Sequence, residues 1–145
     1  MSDTATFRPY TDSDRDRCLA IFDANCPEFF APNERDDYAD FLNGPTEAYE
    51  VCLLGDEVAG AFGLFGEPGK ERGLSWILLD PGFQGGGVGS QIMSRILQAG
   101  KGCVIHIGAS HKSAPFFERF GAVTVQTFDD GWGPGMHRVD MELQA

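Results

Sequence analysis

Apolar residues recur along the chain with two different periods, and the alternation between the two sets out a series of strands and helices. Residues 5–10 place Phe7 and Tyr10 in a short extended stretch, which Pro9 restricts to a sheet edge or a strand end. Thr11 with Asp14 makes an N-cap pair, and Cys18, Leu19 and Phe22 then fall on one helical face up to Asn25. Asn33 with Asp36 repeats the capping pattern, Tyr38, Phe41 and Leu42 share a face, and Gly44-Pro45 supplies the stop. A hairpin is predicted over 50–54 and 58–65, with Gly55-Asp56 as its tight turn. After Pro68-Gly69 the run 74–79 reads as a fourth strand. Strict alternation there puts Ser75, Ile77 and Leu79 on one side and Trp76 and Leu78 on the other.

Helical spacing returns with Val88, Ile92 and Ile96, backed by Met93 and Leu97, and ends at Gly100. Residues 103–108 form the next apolar strand. Because a crossover helix precedes it, this strand is expected parallel to the fourth and beside it. A late helix, a strand over 123–128, a turn-rich segment over 129–135 and a strand over 136–143 close the chain. The order β-α-α-β-β-β-α-β-α-β-β predicts a single α+β domain over 1–145, with a mixed, mostly antiparallel central sheet and helices on both faces. No internal repeat or low-complexity segment interrupts it.

The junction between the fourth strand and the following helix carries the most chemistry. Leu78-Leu79-Asp80-Pro81 leads into Gln84-Gly85-Gly86-Gly87-Val88-Gly89-Ser90. So many glycines let the backbone turn tightly and aim successive N–H groups at one spot, at the N-terminus of a helix. Such a spot binds phosphate. A Walker loop is excluded, since Val88 stands where the lysine belongs. A dinucleotide fingerprint starting at Gly85 would need its third glycine at Ser90 and an acidic ribose partner further on, and it has neither.

The pattern Gln-x-x-Gly-x-Gly, written here as Gln84, Gly87 and Gly89, resembles the acyl-CoA pyrophosphate loop of the GCN5-related N-acetyltransferases (GNAT). A second resemblance gives it specificity: Phe117-Glu118-Arg119-Phe120-Gly121 looks like that family's late helix ending in aromatic-Glu-Lys/Arg-x-Gly. The predicted order of elements is also the family's order. The resemblance implies acetyl-CoA as co-substrate, bound by Gln84, Gly85, Gly86, Gly87, Val88, Gly89 and Ser90. It further implies that the parallel strands splay apart, and that backbone groups of Leu78 and Leu79 bond the pantetheine arm and stabilise an oxyanion. Phe29 and Phe30, with Glu28, lie in the loop that lines the acceptor side in the related family.

Composition narrows the function further. A chain of 145 residues fits one domain able to bury a substantial core. It has neither an apolar run long enough to span a bilayer nor a secretory signal, so a cytoplasmic location without membrane association is expected. Cys18, Cys26, Cys52 and Cys103 are widely spaced and read as buried, reduced thiols, with no metal site. The net charge of −11 argues against nucleic acid. None of the 22 acidic residues falls between Pro81 and Phe117, where Arg95, Lys101 and Lys112 lie, so a polyanion meets no repulsion there.

The expected reaction is transfer of an acetyl group from the CoA thioester to a small-molecule or peptide amine, by a monomer or homodimer. A primary amine of pKa ~10.4 costs roughly 4–5 kcal/mol to deprotonate at neutral pH, so a base is needed. Many relatives place a glutamate on the fourth strand, and Ser75 occupies that position here. Glu28 and His137 are the leading substitutes, with Asp129 and Asp130 behind them; His106 and His111 read as structural. Relatives often carry a tyrosine thought to protonate the thiolate where this chain has Phe117. A catalytically silent acyl-CoA-binding module is therefore the alternative.

Overall fold

In a computed structural model, which describes residues 4–67, 69–83 and 87–145, the predicted order of elements is present throughout. The strands are β1 (Thr6–Pro9), β2 (Tyr49–Leu54), β3 (Glu57–Phe65), β4 (Arg72–Leu79), β5 (Val104–Ser110), β6 (Val123–Gly133) and β7 (Met136–Gln144). The helices are α1 (Arg15–Ala24), α2 (Glu34–Asn43), α3 (Val88–Ala99) and α4 (Ala114–Glu118). The seven strands form one sheet in the order β1-β2-β3-β4-β5-β7-β6. All neighbours are antiparallel except β4 and β5, as the crossover through α3 requires.

Each face of the sheet buries its own apolar cluster. Ile92, Met93 and Ile96 of α3 and Phe117 of α4 pack with Ile105, Ile107 and Met141 on one side. On the other, Cys18, Ile21 and Phe22 of α1 and Tyr38 and Leu42 of α2 pack with Tyr49, Val51 and Leu78. Cys18, Cys52 and Cys103 are buried and Cys26 half-buried, all unpaired. No helix among the described residues is long and apolar enough to cross a membrane.

Three local readings are corrected. The capping pair at Thr11 forms as expected, with Thr11 N–H donating to Asp14 Oδ2 at 3.0 Å, but the second does not: Asn33 makes no cap bond and instead donates Nδ2–H to the Trp132 carbonyl at 2.8 Å. The segment 129–135 is not mainly turn, because β6 runs on through it to Gly133 and carries Trp132 over β5. Finally, β4 does not alternate strictly. Trp76 has a left-handed φ of 47°, and the pairing with β3 jumps from Ala61↔Leu78 to Gly63↔Ser75. This bulge inserts an extra residue and resets the faces, so Leu74 packs in the α3-side cluster with Ile77 and Leu79 while Trp76 and Leu78 pack in the other. Ser75 therefore does not share a face with Ile77 and Leu79.

Candidate active site

The bulge opens the sheet. β4 and β5 pair only at Arg72↔Ile105, Gly73↔His106 and Leu74↔Ile107; past Leu74 they diverge, and β5 continues alongside β7 alone. Between them lies a cleft of about 1120 Å³. From Ser75 to Leu79 the edge of β4 that faces this cleft has no partner strand; the Trp76 and Leu79 carbonyls take hydrogen bonds from the Tyr49 and Asn25 side chains, and a ligand can reach what those side chains leave open. Leu78 and Leu79 both line the cleft, though the Leu78 side chain itself is buried in the core.

One end of the cleft is the N-terminus of α3. Gly87 caps it with φ 82°, a left-handed conformation that a side chain would strain. The first intrahelical bond runs from Gln91 N–H to Gly87 O at 3.1 Å. The N–H groups of Val88, Gly89 and Ser90 thus precede the helix's own bonding and carry the positive end of its dipole. Gly87, Gly89 and Ser90 line the cleft, whereas the Val88 side chain is 1% exposed and anchors the helix in the core. Gln84, Gly85 and Gly86 lie outside the described residues. Lys112 and Arg119 also line this cleft, and neither has a carboxylate partner among the described residues. Arg95, by contrast, is bound away from it by Glu50 at 3.1 Å. Helix N–H groups, two unpaired cations and an open strand edge fit the phosphates and amide arm of an acyl-CoA.

The opposite wall comes from the loop before α2, from β4 and from β6. Phe29 and Phe30 are half-buried and both line the cleft; Phe30 stacks on Phe22 at 4.8 Å and on Trp76 at 6.3 Å. Trp132 completes the wall. Its Nε1–H donates to Ala109 O at 2.9 Å, and its ring lies so close to Gly108 that a Cβ there would sit 3.1 Å from it. Two polar side chains face into this wall from nearly full burial. Asn25, 4% exposed, donates Nδ2–H to Ile21 O and Leu79 O, each at 2.9 Å. Glu34, 6% exposed, accepts the Ala31 N–H at Oε2 across 2.8 Å. Burial pushes the Glu34 carboxyl up from 4.5 to about 7; the Ala31 N–H opposes the rise and Asp37 adds to it.

The two residues expected as the base do not line the cleft. Glu28 is exposed on the loop. His137 points elsewhere, its Nδ1 accepting the Asp130 N–H at 3.0 Å and its ring 4.7 Å from that of His111. Asp130 is itself exposed and holds the Gly135 N–H at 2.7 Å. His106 sits between Glu71, at 3.2 Å, and Glu142, at 3.7 Å. Phe117 is 3% exposed, part of the core and part of the cleft wall. Glu34 borders the acceptor loops in the sequence but was not among the residues expected as the base. Its signal was an acid at the first position of a helix directly after the paired aromatics, where a cap and a site residue read alike.

A mixed sheet split between parallel strands, with a glycine-capped helix N-terminus at the split, defines an acyl-CoA-dependent transferase fold. The chain belongs to the Acetyltransferase (GNAT) family, whose model matches residues 18–122, and it is an acetyl-CoA-dependent N-acetyltransferase. Ard1 from Thermoplasma volcanium superposes with a TM-score of 0.77 at 16% identity, over 96% of this chain and 96% of that one. The ribosomal-protein-S18-alanine N-acetyltransferase from Escherichia coli gives 0.75 at 13% identity, over 97% and 93%. The structure of yncA from Salmonella typhimurium with its cofactor acetyl-CoA gives 0.69 at 16% identity, over 97% and 94%. At such identities the likeness is one of fold. No curated protein sequence matches the chain significantly.

Proposed function

We propose that acetyl transfer takes place between the α3 end of the cleft and the aromatic wall, with Glu34 as the base that receives the amine's proton. The observation that carries this reading is a carboxyl buried on the same cleft as the helix N-terminus, with a proton affinity matched to neutral pH. Acetyl-CoA supplies the acetyl thioester. On this reading the N–H groups of Gly89 and Ser90, with Lys112 and Arg119, hold its phosphates, and the open edge of β4 holds its amide arm. Glu34 takes a proton from the ammonium form of the acceptor, freeing the nitrogen lone pair. The nitrogen then bonds to the thioester carbonyl carbon while a β4 N–H at the bulge steadies the charge gathering on the oxygen. The carbon–sulfur bond breaks, sulfur leaves with the bonding pair, and it takes up the second proton lost by nitrogen. The products are an acetamide and the free thiol.

The test is a thiol-release screen with acetyl-CoA against a panel of amines, run on the wild type and on Glu34→Gln. Acceptor-dependent release that falls by 100-fold or more in the variant supports the assignment. Release by the wild type that the variant retains moves the base elsewhere, and binding of acetyl-CoA with no release from any amine or from water favours a silent acyl-CoA-binding module.

A further inference from the structure

The aromatic wall holds an acceptor constellation that the transfer reaction alone does not require. Asn25 has both amide hydrogens committed to carbonyl oxygens, Ile21 O and Leu79 O, which fixes which end of the amide is which. The atom it has left for the cleft is Oδ1. Glu34 has Oε2 committed to the Ala31 N–H, and Oε1 has no partner among the described residues. Neither oxygen is among the buried polar atoms that lack a partner, so both are open to the cleft. These two oxygens, on side chains 4% and 6% exposed and locked by their other ends, line the same cleft as the rings of Phe29, Phe30, Trp76 and Trp132.

We propose that the acceptor received against this wall is a primary amine carried on a flat apolar body, its ammonium head bound by Asn25 Oδ1 and Glu34 Oε1 and its body by the aromatic rings. The inference rests on the reading of the cleft as the transfer site and goes beyond it in naming the acceptor's class. An ammonium head offers three N–H donors, and the free oxygens of Asn25 and Glu34 are acceptors; Arg138, which lies over the Trp132 ring, is paired with Asp140 at 2.6 Å. Three donors meet two oxygens, so a second alkyl group on the nitrogen leaves one buried oxygen unanswered, which is costly where water is excluded. The rings bury an aromatic body better than a short chain. Asn25 thereby acts as a binding residue that touches the acceptor, distinct from Glu34 as the base.

The chain has two tryptophans, and both line the cleft, so tryptophan fluorescence reports occupancy without chemistry. The experiment titrates benzylamine, N,N-dimethylbenzylamine and ethylamine into the wild type saturated with CoA. The expected result is that benzylamine binds at least tenfold more tightly than either of the others. Equal binding of the dimethyl compound overturns recognition of the head, and equal binding of ethylamine overturns recognition of the body. In folded Asn25→Leu the preference for benzylamine over its dimethyl derivative is expected to shrink to within threefold; an unchanged preference removes Asn25 from the site. Should the variant not fold, the wild-type series decides by itself. Thiol release, measured separately with acetyl-CoA, keeps the two readings apart: release without amine selectivity overturns this inference alone, and selective binding without release supports it while overturning turnover.

Discussion

Tyr49 donates its hydroxyl hydrogen to the carbonyl oxygen of Trp76 across 2.6 Å, and that bond holds the bulge that opens the sheet. The same hydroxyl lies 2.9 Å from Tyr38 Oη, so β2, α2 and β4 meet through one buried pair of phenols. Burial raises the pKa of both well above the ordinary value, which keeps them protonated and able to donate. Tyr49→Phe leaves the Trp76 carbonyl without its donor in the core. We expect a loss of about 1–3 kcal/mol in stability by denaturant unfolding, and a lower kcat with the affinity for acetyl-CoA little changed.

Glu34 sets a pH dependence with two opposite signs. As a base it works ionised, so kcat should rise with pH through about 7 and level off above it, and Glu34→Gln should lose that limb along with most of the rate. For stability the folded pKa is the higher one, so the folded state binds the proton more tightly. This contribution is complete below pH 4.5 and is lost as pH rises to about 7. The shift corresponds to up to about 3 kcal/mol. Glu34→Gln is therefore expected to melt higher than the wild type at pH 8 and to differ little at pH 4.5, in thermal scans at the two values.

At Gly87 the two costs of a side chain separate. A Cβ there meets nothing within 4 Å, yet φ is 82°. Gly87→Val should lose about 1–2 kcal/mol of stability from backbone strain and weaken acetyl-CoA binding tenfold or more in calorimetry. Gly87→Asn, which tolerates the left-handed region, should keep most of the stability.

Phe117 is a packing residue on this account. CoA is a thiol with a pKa near that of free cysteine, about 8.5, and needs little help to leave. Phe117→Tyr should change kcat by less than tenfold and add no alkaline limb near ~10 in the pH profile. A gain of a hundredfold would show that the wild type lacks a needed acid.

How much of this was legible in the sequence depended on the range of the interactions involved. The element order, the parallel pair and the end of α3 at Gly100 follow from local spacing, and each was read correctly. The bulge at Trp76 was hidden because an extra residue in a strand leaves no mark in an apolar run such as Leu74 to Leu79. The extension of β6 was hidden because Asp129 to Gly133 has the composition of a turn, and only the bonds of Trp132 to Ala109 and Asn33 reveal what holds it. Glu28 and His137 were chosen for lying near the right segments. Glu34 differs from them in burial, which tertiary packing decides.

α1 gives the divided sheet its last constraint. Where β4 loses β5 as a neighbour, Asn25 at the end of α1 holds the Leu79 carbonyl, and Arg17 within α1 pairs with Asp80 while bonding Val58 O at 3.0 Å. Burial works against the Asp80 carboxylate, but the Gly82 N–H and Arg17 outweigh it and keep its pKa below the usual range. α1 itself is pinned by Cys18, Leu19, Ile21 and Phe22, none more than 7% exposed. A helix thus does for the strand end what a neighbouring strand does elsewhere, and it does so from outside the gap. The notch at the end of β4 is set before any ligand arrives, so this strand edge adds little to the ordering entropy of binding.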